Sequence, residues 1–178
     1  MSETVDVHLR ICNLAEHPEH ISTIASWHHH EWLKGLQPGV KADMGLAEGI
    51  EKRAEVLRSH FVSDSLPRSF VALYKAQPIA TVSLAYFGFT PKTHERSLWL
   101  TNLFVVPELR GMGLGALLLD YAFDYACEHE LQQQRIMLYT RDKNEYYQKR
   151  GWLPAGTGRV QRQEVFILSK ALTTDLDS

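Results

Sequence analysis

The most constraining feature of this chain is an apolar run that stops at a proline and leads through a glycine-rich turn into a long helical segment. Residues 97–106 are almost continuously apolar, which predicts a strand buried on both faces. Pro107 ends this strand because proline has no N–H to donate to a neighbouring strand. Residues 113–131 carry an acidic side chain at every fourth position between Asp120 and Glu128, which predicts a helix with one narrow solvated stripe. A strand that turns directly into a largely buried helix indicates an α/β fold.

Hydrophobic periodicity along the rest of the chain predicts the element order β-α-α-β-β-β-α-β-α-β. Strands are predicted at residues 5–11, 69–74, 79–87, 97–106, 135–140 and 163–169, and helices at 18–34, 44–61, 113–131 and 142–150, with Asp43 as the N-cap of the second helix. In the third helix the side chains expected to bury against the sheet are Leu114, Leu117, Leu118, Tyr121 and Tyr125. Strand–helix–strand units around a central hairpin imply a mixed sheet with helices on both faces, in one domain.

Composition excludes several classes of protein. The 178 residues carry a formal net charge of −2, which argues against broad binding of nucleic acid. Cys12 and Cys127 are the two cysteines, and their wide separation predicts reduced thiols rather than a disulfide framework or a metal-binding pair. The N-terminus has no secretory pattern and no apolar stretch is long enough to cross a bilayer. We therefore expect a cytoplasmic protein that binds neither nucleic acid nor membrane.

The glycine-rich turn is suited to an anion. Glycine permits unusual backbone angles, and it lacks the Cβ that would hold a ligand away from the main chain. The first N–H groups of the following helix have no helical acceptor, and the helix dipole adds partial positive charge there. Arg110 adds a permanent charge just before the turn. The turn therefore predicts a phosphate site, although it matches neither the P-loop nor the dinucleotide-binding fingerprint.

Two motifs carry a family resemblance. Residues 103–115 resemble motif A of the GNAT superfamily of N-acetyltransferases, Gln/Arg-x-x-Gly-x-Gly/Ala, which Arg110, Gly113 and Gly115 fill. Residues 146–152 are similar to motif B, aromatic-Tyr-x-Lys-x-Gly-aromatic. The resemblance implies a GNAT-like acyl-CoA N-acyltransferase fold with a mixed sheet of six to seven strands. It also implies that residues 1–68 form variable acceptor-side helices and that residues 69–170 hold the two motifs.

The resemblance implies a site for acetyl-CoA as cosubstrate, with no metal. In this family the pantetheine arm pairs with the motif A strand, and the pyrophosphate lies on N–H groups of the loop and first helical turn. The corresponding residues here are Leu103, Phe104, Val105, Arg110, Gly111, Met112, Gly113, Leu114, Gly115 and Ala116.

Tyr147 resembles the family's general acid. An amine attacks the thioester and coenzyme A leaves as a thiolate, which a phenol of ordinary pKa about 10 is able to protonate. The alternative is that Tyr147 only packs beneath the cofactor. The motifs name no base, although a primary alkyl amine with a pKa of about 10.4 is mostly protonated at neutral pH and must lose that proton.

The acceptor side is predicted less directly. Asn102 interrupts an apolar strand, so it is either a bulge residue bonded to neighbouring backbone or a polar contact near the acyl group. Residues 28–30 are consecutive histidines that point in different directions on a helix, so no metal site is predicted, and His29 and His30 are expected to be solvated. Glu31 and Trp32 are candidate acceptor-pocket residues, and His28 is a further one.

The leading hypothesis is therefore an N-acetyltransferase that acts on a small-molecule or peptide amine. Two alternatives stay open at this point: a non-catalytic acyl-CoA-binding module and a transferase for a longer acyl group. Related folds are often dimers, so a homodimer is also open.

Overall fold

The computed structural model describes residues 8–36, 45–61, 68–87, 97–129 and 133–172. The strands are β1 (Leu9–Asn13), β2 (Arg68–Tyr74), β3 (Gln77–Phe87), β4 (Ser97–Val105), β5 (Arg135–Thr140), β6 (Leu153–Val160) and β7 (Gln163–Ala171), and the helices are α1 (Ile21–Lys34), α2 (Leu46–Ser59), α3 (Leu114–His129) and α4 (Asn144–Gln148). They form a seven-stranded sheet in the order β1-β2-β3-β4-β5-β7-β6.

The sheet is mixed because one neighbouring pair differs from the others. β4 and β5 run parallel, whereas the remaining neighbours pair antiparallel. The two-residue turns that join β2 to β3 and β6 to β7 have left-handed backbone angles, with φ of 49° and 64° at Lys75 and Ala76 and of 53° and 63° at Gln161 and Arg162. Such turns match the natural twist of a hairpin.

Alternate residues of β2 pack into two separate hydrophobic cores. Phe70 and Ala72 pack in a cluster that includes α3, whereas Val71 and Leu73 join a cluster formed with α1 and α2. Successive side chains of a strand point to opposite faces, so α3 covers one face of the sheet and α1 with α2 covers the other. The prediction of a mixed α/β sheet with helices on both faces is confirmed.

The predicted element order lacked one strand, β6. Its sequence contains Pro154, Gly156 and Gly158, residue types that are disfavoured inside strands. β6 tolerates them because it lies at the edge of the sheet, and its register with β7 shifts between Pro154 and Gly156. The hairpin loop predicted at residues 75–78 is also shorter, because Gln77 already pairs with Tyr74.

Burial also departs from prediction at β4 and α3. β4 is deeply buried at Leu98 and Leu100 but not at its second half, because that half borders open cavities. On α3, Leu117 and Tyr121 are 43% and 36% exposed, so the solvated surface is wider than the acidic stripe alone. The predicted burial of Leu118 agrees with the structure.

Some predictions lie outside the described residues. These are the start of the first strand before residue 8, the capping role of Asp43, and the part of the third predicted helix beyond His129. Among the residues that the structure describes, none of the helices is long and apolar enough to cross a membrane.

Candidate active site

A gap between β4 and β5 creates the site. The two strands pair only at Leu98 with Ile136 and at Trp99 with Met137. Beyond those pairs, residues from both strands line a common cavity of about 320 Å³, which we call the acceptor cavity. A second cavity of about 480 Å³, the cofactor cavity, lies against the end of β4 and the start of α3. Leu103, Phe104, Tyr147 and Glu31 line both cavities, so the two spaces meet there.

Asn102 forms a bulge in β4 at this gap. Its φ is 55°, in the left-handed region that asparagine tolerates better than most residues. The register with β3 shifts between Thr81 and Ser83, and the Asn102 side-chain amide donates to the Ser83 hydroxyl over 3.5 Å. Asn102 is therefore a bulge residue, but its amide bonds a side-chain hydroxyl and not the neighbouring backbone. It also lines the acceptor cavity, and a contact with the acyl group stays a prediction.

The cofactor cavity contains most of the residues predicted to bind acetyl-CoA. Its lining includes Leu103, Phe104, Val105, Arg110, Gly111, Gly113, Leu114 and Gly115, but neither Met112 nor Ala116. The Met112 side chain is instead 71% exposed. The first helical bond of α3 at this end is donated by the Leu117 N–H to the Gly113 carbonyl, so the N–H groups of residues 114–116 have no helical acceptor.

The shape of the turn suits a diphosphate. Gly111 and Gly113 have φ of 80° and 87°, and no described atom lies within 4 Å of where a Cβ would stand on either residue. A side chain at either position would strain the backbone and fill this space. Open space above free N–H groups fits the pyrophosphate of acetyl-CoA.

Cations surround this cavity, and sequence reasoning found only one of them. The Arg110 Nε donates to the Val105 carbonyl over 2.9 Å, and its guanidinium lies 5.3 Å from the centre of the Phe104 ring. Lys143 and Arg150 also line the cavity. Both residues are close in sequence to the tyrosines of motif B, and this proximity could have identified them.

Tyr147 lies at the junction of the two cavities. Its ring packs edge-on against Tyr146 at 5.2 Å and against Trp152 at 6.4 Å, and Trp152 is 1% exposed. Burial, aided by Tyr146 and Asp142 and opposed by Arg150, raises the pKa of Tyr147 to about 12. The phenol is therefore protonated throughout the physiological pH range.

The acceptor cavity contains the three residues predicted for the acceptor side, Glu31, Trp32 and Asn102. The Lys34 ammonium donates to the Glu31 carboxylate over 2.8 Å. His28 also lines the cavity, and its Nε2 is buried with no hydrogen-bond partner among the described residues. Burial, together with the Arg53 and His60 charges, lowers the pKa of His28 to about 4, so this imidazole is neutral.

The prediction that His29 is solvated is wrong, whereas His30 is exposed as predicted. His29 is 2% exposed, not solvated, because its ring stacks on Trp32 at 5.6 Å and packs against Gly49 of α2. His30 is exposed, and its Nδ1 is hydrogen-bonded to the Ser26 carbonyl over 2.7 Å.

Sequence reasoning missed several polar residues of the acceptor cavity, among them Arg53, Arg141 and Gln161. They come from α2, from the end of β5 and from the β6–β7 turn, and no local motif links them. Gln161 joins these elements, because its Oε1 accepts from Arg141 over 2.6 Å and its Nε2 donates to the Trp32 carbonyl over 2.9 Å.

A mixed sheet with a gap beside a glycine-rich turn is typical of one class of protein, the acyl-CoA-dependent acetyltransferases. The chain matches the acetyltransferase (GNAT) family over residues 24–152, and it belongs to that family. The family predicted from motifs A and B is thus confirmed. No curated protein sequence matches the chain significantly.

Solved structures share the fold at low sequence identity. A ribosomal-protein-S5-alanine acetyltransferase from Vibrio fischeri is 19% identical with a TM-score of 0.65, covering 93% of each chain. A protein from Clostridium acetobutylicum, described as a predicted acetyltransferase and solved with acetyl-CoA, is 19% identical with a TM-score of 0.62, covering 85% of this chain and 93% of its own. A GNAT-family acetyltransferase from Streptococcus pneumoniae is 17% identical with a TM-score of 0.60, covering 93% of this chain and 99% of its own. At these identities the similarity shows the fold alone.

Proposed function

We propose that this protein is an N-acetyltransferase that transfers the acetyl group of acetyl-CoA to a primary amine by direct attack on the thioester. One observation carries the proposal: the cofactor cavity and the acceptor cavity meet at Tyr147, in the gap between β4 and β5. An amine in one cavity and a thioester in the other would come together beside this phenol. Holding two reactants in contact accounts for much of the acceleration in such a transfer.

The cofactor cavity supplies the binding energy. The β4 backbone at residues 103–105 lies beyond the last pair with β5, so the N–H and C=O groups on that side, apart from the Val105 carbonyl that Arg110 already binds, are available to pantetheine amides. The free N–H groups at the start of α3 face the pyrophosphate, and Arg110, Lys143 and Arg150 add positive charge. Bound acetyl-CoA supplies a thioester whose C–S bond breaks as the C–N bond to the amine forms, while one proton passes overall from nitrogen to sulfur.

Tyr147 acts chiefly as a hydrogen-bond donor to the developing charge on sulfur. Its pKa of about 12 exceeds that of an ordinary thiol by roughly 3.5 units, so complete transfer of its proton to sulfur costs about 5 kcal/mol. The phenol therefore gives up its proton only as it receives another one, which originates on the amine. No free phenolate therefore forms during the transfer.

The acceptor cavity receives the amine in its neutral form. Using only the neutral fraction of an alkyl amine costs roughly 4–5 kcal/mol at neutral pH. His28 lines this cavity as a neutral imidazole, so it adds no positive charge that would oppose the approach of the amine. Asn102 and Glu31 complete the polar lining beside it.

The proposal is tested by following thiol release from acetyl-CoA across a panel of amines. Wild type should release thiol only with an accepted amine, and Tyr147→Phe should lower kcat about 100-fold or more, the usual loss for a missing acid. Its affinity for coenzyme A, measured by calorimetry, should change little. Tyr74→Phe is the matched control, because Tyr74 is 36% exposed at the end of β2 and lines neither cavity.

Two results would contradict the proposal. Binding of coenzyme A without thiol release for any amine would favour the non-catalytic module. Release that is faster with a longer acyl-CoA than with acetyl-CoA would favour the transferase for longer acyl groups. Unchanged turnover in Tyr147→Phe would remove the role of Tyr147 alone.

A further inference from the structure

Two arginines that line the acceptor cavity have no acidic partner among the described residues. Arg53, from α2, lies with its guanidinium carbon 5.4 Å from the centre of the Trp32 ring, and Arg141 follows the end of β5. The carboxylates in ion pairs within the described ranges are Glu19, Glu31 and Glu51, and their cationic partners are other residues. Both arginines therefore line the cavity without an ion-pair partner from the described parts of the chain.

Arg141 also has an unsatisfied donor. One of its terminal nitrogens donates to the Gln161 side chain, but its Nε is buried without a hydrogen-bond partner among the described residues. A buried donor on a charged group that lacks a partner is costly, so structures normally provide one. A guanidinium presents parallel donors that match the two oxygens of a carboxylate, which makes a carboxylate the natural partner here.

The acidic and basic residues that line the acceptor cavity do not balance. Glu31 is the acidic residue in its lining, and the Lys34 ammonium already lies 2.8 Å from that carboxylate. Arg53 and Arg141 therefore leave the acceptor cavity net positive, which disfavours an acceptor with several ammonium groups. The amine itself must reach the junction with the cofactor cavity, where Tyr147 and Glu31 lie.

We propose that the acceptor is a small primary amine that also carries a carboxylate, and that Arg53 and Arg141 bind this carboxylate. This inference rests on the proposed N-acetyltransferase function and names its substrate class. The carboxylate contacts Arg53 and Arg141, which line only the acceptor cavity, and the amine points to the junction at Tyr147. A volume of about 320 Å³ is at the small end for ligand pockets, about 300–1,000 Å³, and therefore suits an amino acid better than a peptide.

The test compares L-amino acids with their own carboxamides, and includes spermidine as a polycation. Wild type should prefer each acid over its amide by at least about tenfold in kcat/KM, the effect of a charge-assisted pair. Arg53→Gln and Arg141→Gln should each reduce this preference to less than about threefold. Arg58→Gln is the matched control on α2, because Arg58 is exposed, pairs with Glu51 and lines neither cavity.

Binding to the protein saturated with coenzyme A, measured by calorimetry, gives a readout that does not need turnover. The acids should bind this complex more tightly than their amides, and retained coenzyme A affinity in each variant shows that the variant is folded. Preference for amides or spermidine, or an undiminished preference in both arginine variants, would overturn the inference while leaving the acetyltransferase intact. Tight selective binding of acids with no thiol release would instead overturn the proposed function. Binding only of peptides with an acidic first residue would overturn the assignment to a small molecule.

Discussion

Burial lowers the pKa of two histidines, one of which lines the acceptor cavity. His28 is held neutral by burial, and His60, whose pKa burial also lowers, is hydrogen-bonded to Ser69 over 2.9 Å. Ser69 is in turn 2.8 Å from Ser83, to which the Asn102 amide donates. This chain of polar side chains connects the interior of the protein with the bulge at the cavity wall. It holds Asn102 in a backbone conformation that few residues adopt readily.

His28 should make the protein sensitive to acid. Its pKa falls from 6.5 to about 4 on folding, so the unfolded chain binds the proton first as pH falls. The stability associated with neutral His28 is present above about pH 6.5 and is lost progressively towards pH 4. This group alone should lower the free energy of unfolding by about 2 kcal/mol between pH 7.5 and pH 5.

Urea unfolding of His28→Gln at the two pH values measures this effect. The variant should lose about 2 kcal/mol less than wild type over the same interval. His30→Gln, which alters an exposed histidine on the same helix, should keep the wild-type loss. An equal loss in His28→Gln and wild type would show that His28 is not held neutral.

Helices α1 and α2 are in close contact at Gly49. Gly49 of α2 packs directly against the His29 ring, and that ring is buried and stacked on Trp32. A methyl group on residue 49 would overlap the ring. The position of Trp32, and therefore part of the acceptor cavity, depends on this contact.

Gly49→Ala should destabilise the protein. Replacing glycine by alanine inside a helix normally gains up to about 1 kcal/mol, but overpacking costs about 1–3 kcal/mol, so we expect a net loss of about 1–2 kcal/mol. Gly45→Ala is the control, because a Cβ at the N-cap of α2 would meet no described atom within 4 Å. Chemical denaturation should show a loss below about 1 kcal/mol for Gly45→Ala, because alanine is only a poorer N-cap than glycine and overlaps no described atom. A stabilised Gly49→Ala would mean that the helices are not in close contact here.

Among the strands and helices, the sequence predicted those whose residue pattern lies within the element itself. The β4 strand, the glycine-rich turn and α3 are contiguous, and each follows from the residues that it contains. β6 was missed because an edge strand bears a proline and two glycines that a central strand would not tolerate. The burial of His29 was missed because it depends on a glycine in another helix.

The whole molecule brings distant segments together at the gap between β4 and β5. Most of residues 103–115 line one cavity, and the sequence could group them because they are contiguous; their role in binding the cofactor stays a prediction. Arg53, Arg141 and Gln161 were not predictable, because they share the acceptor cavity only through the packing of α2, β5 and the β6–β7 turn. The local motif therefore indicates the family, whereas the proposed substrate class depends on residues that only the tertiary structure brings together.

The central claim is that the turn before α3 binds the diphosphate of acetyl-CoA, and calorimetric titration with coenzyme A tests it most directly. Wild type should show saturable binding at one site. Gly113→Glu should bind at least about 100-fold more weakly, because it strains a residue with φ of 87° and puts a carboxylate against the phosphates. Gly45→Glu, at an open position remote from the turn, should bind like wild type. Absence of binding heat in folded wild type, or equal affinity in Gly113→Glu, would contradict the account.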